Sequence, residues 1–479
     1  MTINLPREII TFNTLRMHLG LMKLNIDPDN LVYLSRYFNK NFVSLSPIRD
    51  KQDGKFMNRI RKRALERMNG GIKISNPRLF YVGSVDFMVV NNGEARNFVI
   101  LETNGGSGRG LSSIAPGQTE AAFNASKLAI DLNYNMEDQV IVLIGTPVND
   151  ALLQEKILLV EFLKEKYQME GYSVGVYNSF NFIPDIVKED LVFVIANYNN
   201  IMDGLSYRNN HIIFKNKEID VVIGDGVARR FPIIGAHVKY DLERVETTIV
   251  NPVYQVSDDK GDTYLAVKMA EKQLEKYRVS QLAFKKAMDP YELENEITNI
   301  IKSGRMDYII KPLGGSGGAG IQPISPSFSL DMAQDIIEKS LYEFYKKFDA
   351  RRTAFPYTIQ EMADFDLINW ESSKRTFDLR FYVIQRDGIF YPLGGLGRIA
   401  RLPYTGKLNK EEFVVNLSGY GGVETERGVA FSDEGMKTLN LEEEDMIDML
   451  CAACETFNCI VENYSKIVNY EGWDDLVIN

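Results

Sequence analysis

Hydrophobic and polar positions change period several times along this chain, and each change predicts an element. Up to about residue 75 the spacing is mostly helical, and Arg59–Met68 carries a basic face that stops at Gly70-Gly71. From Leu79 the period drops to two in LFYVGSVDFMVV and NFVILETN, joined by Asn91-Asn92-Gly93, which predicts a hairpin. Ala121–Leu132 returns to helical spacing. Between about Gln139 and Val256, strand-like runs alternate with helical spacing: VIVLIG, a helix around Leu152–Tyr167, SVGVYNS, LVFVIANY and IDVVIGDG. Such alternation predicts an α/β unit with a mainly parallel sheet, whose ligands sit beyond the carboxyl ends of the strands. Asp225, Gly226, Arg229 and Arg230 close the last of these runs. Asp258-Asp259-Lys260 opens a helix over Thr263–Tyr277, and Pro290–Ile301 forms another.

The second half is organised around Asp307–Ser325. Tyr308-Ile309-Ile310 delivers Lys311-Pro312, and five glycines follow within seven residues: Gly314, Gly315, Gly317, Gly318 and Gly320. Glycines at this density let backbone N–H groups close on an anion, and a lysine at the strand end adds positive charge; a polyphosphate is the natural target. Gly315-x-Gly317-x-x-Gly320 also matches the dinucleotide fingerprint, which requires a helix directly after the glycines. Pro323 and Pro326 forbid that helix, so strand, glycine loop, strand is the expected order. Further on, Asp331–Phe348 is helical and Pro356–Met362 a strand. DLRFYVIQRDGIFYPLGG turns at Arg386-Asp387-Gly388 as a hairpin, and GRIARLP and FVVNLSGYGG are further apolar stretches. The tail is expected to be a helix capped at Asn440, with three glutamates in its first turn.

Composition narrows the class. At 479 residues, two or three domains are expected, and 45% hydrophobic with 25% charged residues describes a soluble globular protein. The net charge of −10 argues against a nucleic-acid or anionic-membrane surface but leaves room for a local nucleotide site. The N-terminus lacks a signal peptide's pattern, and three cysteines confined to Cys451–Cys459 point to a reducing, cytoplasmic setting. Cys451-x-x-Cys454 looks like half a zinc site, but Cys454 shares helical register with Met446, Leu450, Phe457 and Val461 and reads as core. His18, His211 and His237 are too scattered for a histidine-based centre.

Oxygen donors and guanidinium groups carry the candidate chemistry. Glu102 and Asn104, two apart at a strand end, share a face, and Asp86 on the paired strand is a candidate third ligand. Such oxygen-only ligands suit Mg²⁺, which takes one or two carboxylates plus substrate phosphates; a capped turn is the plain alternative. Arg380, Arg398 and Arg401 gather guanidinium forks near one glycine-rich hairpin, suited to phosphate or carboxylate oxygens or to surface ion pairs. Asn416 either orients a ligand or caps a turn. Ser107 and Arg109, in a second glycine loop at 105–110, join Asp225, Arg229 and Arg230 as candidate substrate contacts.

Together these residues resemble the ATP-grasp superfamily of carboxylate–amine ligases, and within it eukaryotic-type glutathione synthetase, whose ATP-grasp is circularly permuted. The resemblance runs through DFMVV and ILETNGGSGRG, then EIDVVIGDGVARR, NPVYQVSDDKGDTYLA, YIIKPLGGSGGAGI, TIQEM, FYVIQRDGIFYPLGGLGRIARLP and FVVNLSGYGG. It implies an α/β (α+β) fold: a circularly permuted ATP-grasp with an inserted Rossmann-like α/β domain. The implied division is N-terminal helices and metal-binding hairpin (1–138), Rossmann-like substrate domain (139–256), nucleotide-binding and catalytic domain (257–432) and a C-terminal helix (433–479). By this resemblance Lys260 and Lys311 hold ATP phosphates, and Gly314, Gly315, Ser316, Gly317 and Gly318 form a flap over them. Gln360, Glu361 and Met362 form the hinge whose backbone meets adenine; Asp364 or Asp366 reaches the ribose. Glu102 and Asn104 hold Mg²⁺, Arg401 lies near the acceptor carboxylate and Arg380 contacts phosphate. Two departures stand out. The permuted synthetases carry a metal-binding glutamate in the glycine loop, where this chain has Gly314-Gly315. Their dipeptide-gripping arginine falls at Ser84, which puts glutathione in doubt as product.

The expected activity is therefore ATP- and Mg²⁺-dependent amide formation through an acyl phosphate, from a small-molecule carboxylate and an amine. A kinase using the same site, a nucleotide-binding regulator with decayed catalysis and an NAD(P)-binding protein are the alternatives. An acid borne on a carrier protein and a homodimeric assembly are left open.

Overall fold

The computed structural model describes residues 47–91, 96–105, 110–132, 138–146, 151–348, 352–419, 422–423 and 425–476. The helical reading before residue 47, the turn at Asn92-Gly93 and the loop holding Ser107 and Arg109 lie outside these residues. Among the described residues no helix is long and apolar enough to cross a membrane.

The fold is a mixed α/β arrangement of several sheets. Its centre is a seven-stranded sheet built from two hairpins far apart in the chain, Val82–Asn91 with Arg96–Asn104 and Phe377–Arg386 with Ile389–Ile399. They join because Phe377–Arg386 pairs antiparallel with Val82–Asn91, setting Arg380 opposite Asp86. Period-two alternation then sorts the faces. Val85, Phe87, Leu379, Phe381 and Val383 enter one core, while Asp86, Asp378 and Arg380 line a cleft on the other side.

The core face is covered by the helix Glu443–Glu462, with Gly54–Arg67 and Lys260–Met269 beside it. Met446, Leu450, Cys454, Phe457 and Val461 are all buried there, so the cysteine cluster is packing. Among the described residues no group of three or more His, Cys, Asp or Glu is arranged to hold a metal ion. The cap of this helix is Glu442 rather than Asn440: Glu442 and Asp445 form a reciprocal capping box, and Asn440 sits earlier at φ 52°. The basic face of Gly54–Arg67 docks on that acidic first turn, with Arg63 donating to Glu443 and Glu444 and Arg67 to Glu444 and Asp448.

Residues 140–250 carry a five-stranded all-parallel sheet, with neighbours in the order Thr248–Val250, Val221–Ile223, Val140–Thr146, Leu191–Asn197 and Val174–Asn178. Three of its strands are buried at every residue, which is why their sequence is almost continuously apolar instead of alternating. Val221–Ile223 is not the last strand, because Thr248–Val250 adds beyond it, and a small antiparallel meander over 205–218 goes unsignalled in the alternation pattern.

A four-stranded antiparallel sheet holds the glycine loop. Tyr308–Pro312 and Gln322–Ile324 flank it, Tyr357–Glu361 and Phe284–Ala287 complete the sheet, and Pro290–Ser303 and Met332–Phe348 cover one face. Strand, loop, strand is thus the observed order. The helix expected over 263–277 begins earlier, at Lys260 behind an Asp259 cap, and breaks after Met269 into two short turns. FVVNLSGYGG forms no long strand; only Ser418–Gly419 pairs with Gly422–Val423.

Phe457 tests the covering helix. Its ring centroid lies 4.6 Å from that of Phe80 in a tilted pair, and a Cβ on Gly83 would lie 2.4 Å from a Phe457 ring carbon, so sheet and helix are in full contact there. Phe457→Ala is expected to destabilise the protein by about 3–5 kcal/mol in urea unfolding, and a loss under about 1 kcal/mol would show that the helix is not part of the main core.

Candidate active site

One cavity of about 570 Å³ lies between the central sheet, the parallel sheet and the glycine loop. Its floor is made by the two central hairpins. On Arg96–Asn104, Phe98 and Ile100 belong to the core, and strict alternation would send Glu102 and Asn104 after them. A bulge at Leu101 prevents this: Ile100 pairs with Phe87 but Glu102 with Asp86, so the strand changes face and both Glu102 and Asn104 line the cavity.

Four charges are locked together in the floor. Arg380 donates Nε and Nη2 to Asp86 at 2.7 and 2.6 Å, Arg398 reaches the same carboxylate at 2.7 Å, and Arg398 also forks onto Asp378 at 2.7 and 2.6 Å. Burial alone would raise Asp86, but Arg380 and Arg398 outweigh it and hold the carboxyl below its usual range. Asp378 goes the other way: burial pushes it up despite Arg398. Both Asp86 oxygens are taken by guanidinium groups, so Asp86 anchors Arg380 and Arg398. Like Arg380 and Arg398, it lines the cavity.

The two lysines meet over this floor. Lys260 pairs with Glu102 at 2.6 Å, and the other Glu102 oxygen lies 3.7 Å from Arg380. Lys311 is buried and donates at 2.6 Å to both the Tyr264 hydroxyl and Gln360 Oε1. Burial, reinforced by the charge of Lys260 and opposed by Glu102, pushes its pKa down to about 7. Lys260, Lys311 and Glu102, distant in sequence, therefore form one cluster. Asn104 adds an amide whose Nδ2 is buried with no hydrogen-bond partner among the described residues, so its oxygen is able to turn toward a cation. A carboxylate and an amide oxygen fit Mg²⁺, which leaves its remaining positions to phosphates and water.

The glycine loop forms the roof. Gly314, Ser316, Gly317 and Gly318 turn carbonyls to donors on surrounding elements: Arg352 at 3.0 Å, Lys347 at 2.6 Å, and Asn416 and Lys410 at 3.4 Å each. Gly317 has φ +59° and a Cβ there would lie 2.8 Å from Lys347 Nζ; at Gly318, φ is +74° and Val414 would be 2.7 Å away. Neither position has room for a side chain. Asn416 thus contacts the loop itself, and Gly315, Ser316, Gly317 and Gly318 line the cavity with it. An apolar slot of Met88, Leu101, Leu282, Ile309, Ala363 and Phe365 continues toward Gln360, Glu361 and Met362.

The parallel sheet supplies the far wall. Arg229 pairs with Asp258 at 2.6 Å and Arg230 lies 4.4 Å over the Tyr198 ring. Arg352 stands near them, and burial, then Arg229, lower its pKa to about 10. The side chain of Asp225, like Ser107 and Arg109, lies outside the described residues.

Several expected site residues lie away from the cavity lining. Arg401 follows the strand end at Ile399 and does not line the cavity, and neither do Asp364 and Asp366. Asp366 Oδ1 instead accepts from the N–H of Leu367. In the hinge the N–H groups of Glu361 and Met362 already donate to the carbonyls of Ala283 and Asp307, because the strand continues that far; a base would have to use other backbone groups there. Lys347, Arg352 and Glu155 line the cavity and Tyr264 holds Lys311 from behind, and none of the four carries a signal in the sequence. Tyr264 and Glu155 sit in helices whose apolar spacing reads as packing.

No protein-family model matches the sequence, and no curated protein matches it. Among solved structures, the chain is similar to a glutathione synthetase-like effector from Globodera pallida, at 14% identity and TM-score 0.37, over 74% of this chain and 80% of that one. It is also similar to D-alanyl-alanine synthetase A from Vibrio cholerae, at 13% identity and TM-score 0.31, over 65% and 81% of the two chains. Likeness at this level says nothing about what the chain does.

The lowered Lys311 pKa has a measurable consequence. An anion beside Lys311 favours its charged form, so above about pH 7 binding of an ATP analogue takes up protons, and affinity falls as pH rises through that value. Calorimetry at about pH 8 in buffers of different ionisation enthalpy is expected to show net uptake, which Lys311→Arg abolishes. Uptake unchanged in that variant would remove Lys311 from the nucleotide site.

Proposed function

We propose that this protein is an ATP-dependent carboxylate–amine ligase on a circularly permuted ATP-grasp fold, with residues 139–256 as an inserted Rossmann-like substrate domain. The observation that carries the reading is the convergence on one cavity of Glu102 from an early hairpin, Lys260 and Lys311 from the middle, and Arg380 and Arg398 from a late hairpin. An acidic group flanked by four cations under a glycine roof is suited to a triphosphate.

In this reading the purine lies in the apolar slot beside Met362 and the phosphates run beneath Gly315–Gly318 toward Lys311 and Lys260. Glu102 and Asn104 would hold Mg²⁺, which would supply charge neutralisation at the phosphates, and the Lys260 ammonium would then turn from Glu102 to phosphate. A substrate carboxylate oxygen attacks the γ-phosphorus and ADP departs. The amine nitrogen then bonds to the acyl carbon as the carbon–oxygen bond to phosphate breaks. Arg380 and Arg398, prealigned by Asp86 and Asp378, offset charge on the transferred group, and the roof keeps water from the acyl phosphate. Arg229 and Arg230 bind the acid's remaining anionic group. Arg401, outside the cavity, has no part.

A screen of acids against amines, read by phosphate release and product mass spectrometry, tests the reaction. Amide with ADP and phosphate is the expected outcome; phosphorylated acid with ADP but no amide would make the protein a kinase. Glu102→Gln is expected to lower turnover about 100-fold or more while leaving the unfolding midpoint nearly unchanged, since the side chain is partly exposed. Wild-type turnover in this variant would exclude Glu102 from the metal site.

A further inference from the structure

Glu155, in the helix Ala151–Met169, is 5% exposed and reaches the same cavity from the parallel-sheet side. Its two oxygens are treated differently. Oε1 accepts from the Gly110 N–H at 2.9 Å, the Ser112 N–H at 3.1 Å and the Ser112 hydroxyl at 2.9 Å. Oε2 is buried and has no hydrogen-bond partner among the described residues. Leaving a buried carboxylate oxygen unmatched is costly unless a ligand supplies a donor, and three donors on the other oxygen fix the group rigidly in place.

Its surroundings tie Glu155 to the guanidinium floor. A Cβ on Gly110 would lie 2.6 Å from the Tyr382 hydroxyl, so the loop that grips Glu155 rests on Tyr382. Tyr382 shares a face of its strand with Arg380, two residues before it. Among the described residues, the titratable and charged neighbours of Glu155 are Lys156 on its own helix and Tyr382 from the sheet. Burial raises the Glu155 pKa in spite of its three donors and Lys156, and a stronger base results.

We propose that Glu155 is the proton acceptor for the attacking amine, an inference that rests on the ligase reading. As the nitrogen bonds to the acyl carbon, the carbon–oxygen bond to phosphate breaks and phosphate leaves with the electron pair. The nitrogen's surplus proton passes to Glu155 Oε2 and later to solvent through the cleft. The carboxylate both orients the nucleophile through an N–H and removes the proton that would otherwise reverse the addition.

Hydroxylamine separates this role from a structural one, because it is uncharged near neutral pH and traps acyl phosphates as hydroxamates without needing a base. Wild type and Glu155→Gln would be given ATP, Mg²⁺ and a panel of amino acids, dipeptides and dicarboxylates, with either hydroxylamine or free amino acids as nucleophile. The glutamine keeps an oxygen for Gly110 and Ser112. The expected result is hydroxamate within about twofold of wild type but amide formation lowered about 100-fold or more. Equal loss of both products, or loss of neither, overturns the proposal. If wild type forms no hydroxamate with any acid, the ligase reading itself fails, and this inference with it.

Discussion

Everything at the cavity floor depends on the buried pairing of Asp86 and Asp378 with Arg380 and Arg398. The two hairpins that meet there are separated by most of the chain, and the register that sets Arg380 opposite Asp86 joins them into one sheet. A buried ion pair is weak evidence for stability, because desolvation offsets much of the attraction. Its value here is geometric. Two carboxylates hold two guanidinium groups in forked contacts, so the cations are fixed before any anion arrives, and preorganised charge needs no reorganisation during reaction. Charge balance also keeps the cluster near neutrality, so cations that titrate must be sought elsewhere in the cavity.

Lys311 is the place where that happens. Burial beside Lys260 weakens its charged form more than Glu102 restores it, while its bonds to Tyr264 and Gln360 fix its position. Lys260 differs because Glu102 pairs with it directly. Two lysines that look equivalent in sequence thus have unlike environments, one desolvated and one ion-paired, on the lining of one cavity.

Much of this was legible in sequence wherever periodicity or glycine density carried the signal. The early hairpin, the strands around the glycine loop, the parallel α/β alternation and the late hairpin all follow from local patterns. What failed were features set by pairing between distant segments. The pairing of Asp86 with Arg380 cannot be read until Phe377–Arg386 is laid beside Val82–Asn91. Nothing in NFVILETN marks the bulge at Leu101, which decides whether Glu102 meets the core or the cleft. Glu155 hides in a helix whose apolar spacing says only packing, and Lys347 and Arg352 become part of the roof through folding alone. Asn440 is a good cap by residue type, but Glu442 and Asp445 satisfy each other's backbone and win.

In the ligase reading, the glycine loop leaves it to the hairpin to supply the acidic ligands. Relatives suggested by the sequence resemblance carry a glutamate in this loop, where the chain has Gly314-Gly315. At Gly314 φ is +62° and an added Cβ would lie 3.5 Å from the Asp258 carboxylate; at Gly315 it would lie 3.1 Å from the Pro312 carbonyl oxygen. A carboxylate grafted at either position would therefore start beside an acidic or carbonyl oxygen, with Asp258 itself held by Arg229. In the ligase reading the loop would serve phosphate through its backbone, which leaves Glu102 and Asn104, turned into the cleft by one bulge, as the pair that would hold the ion.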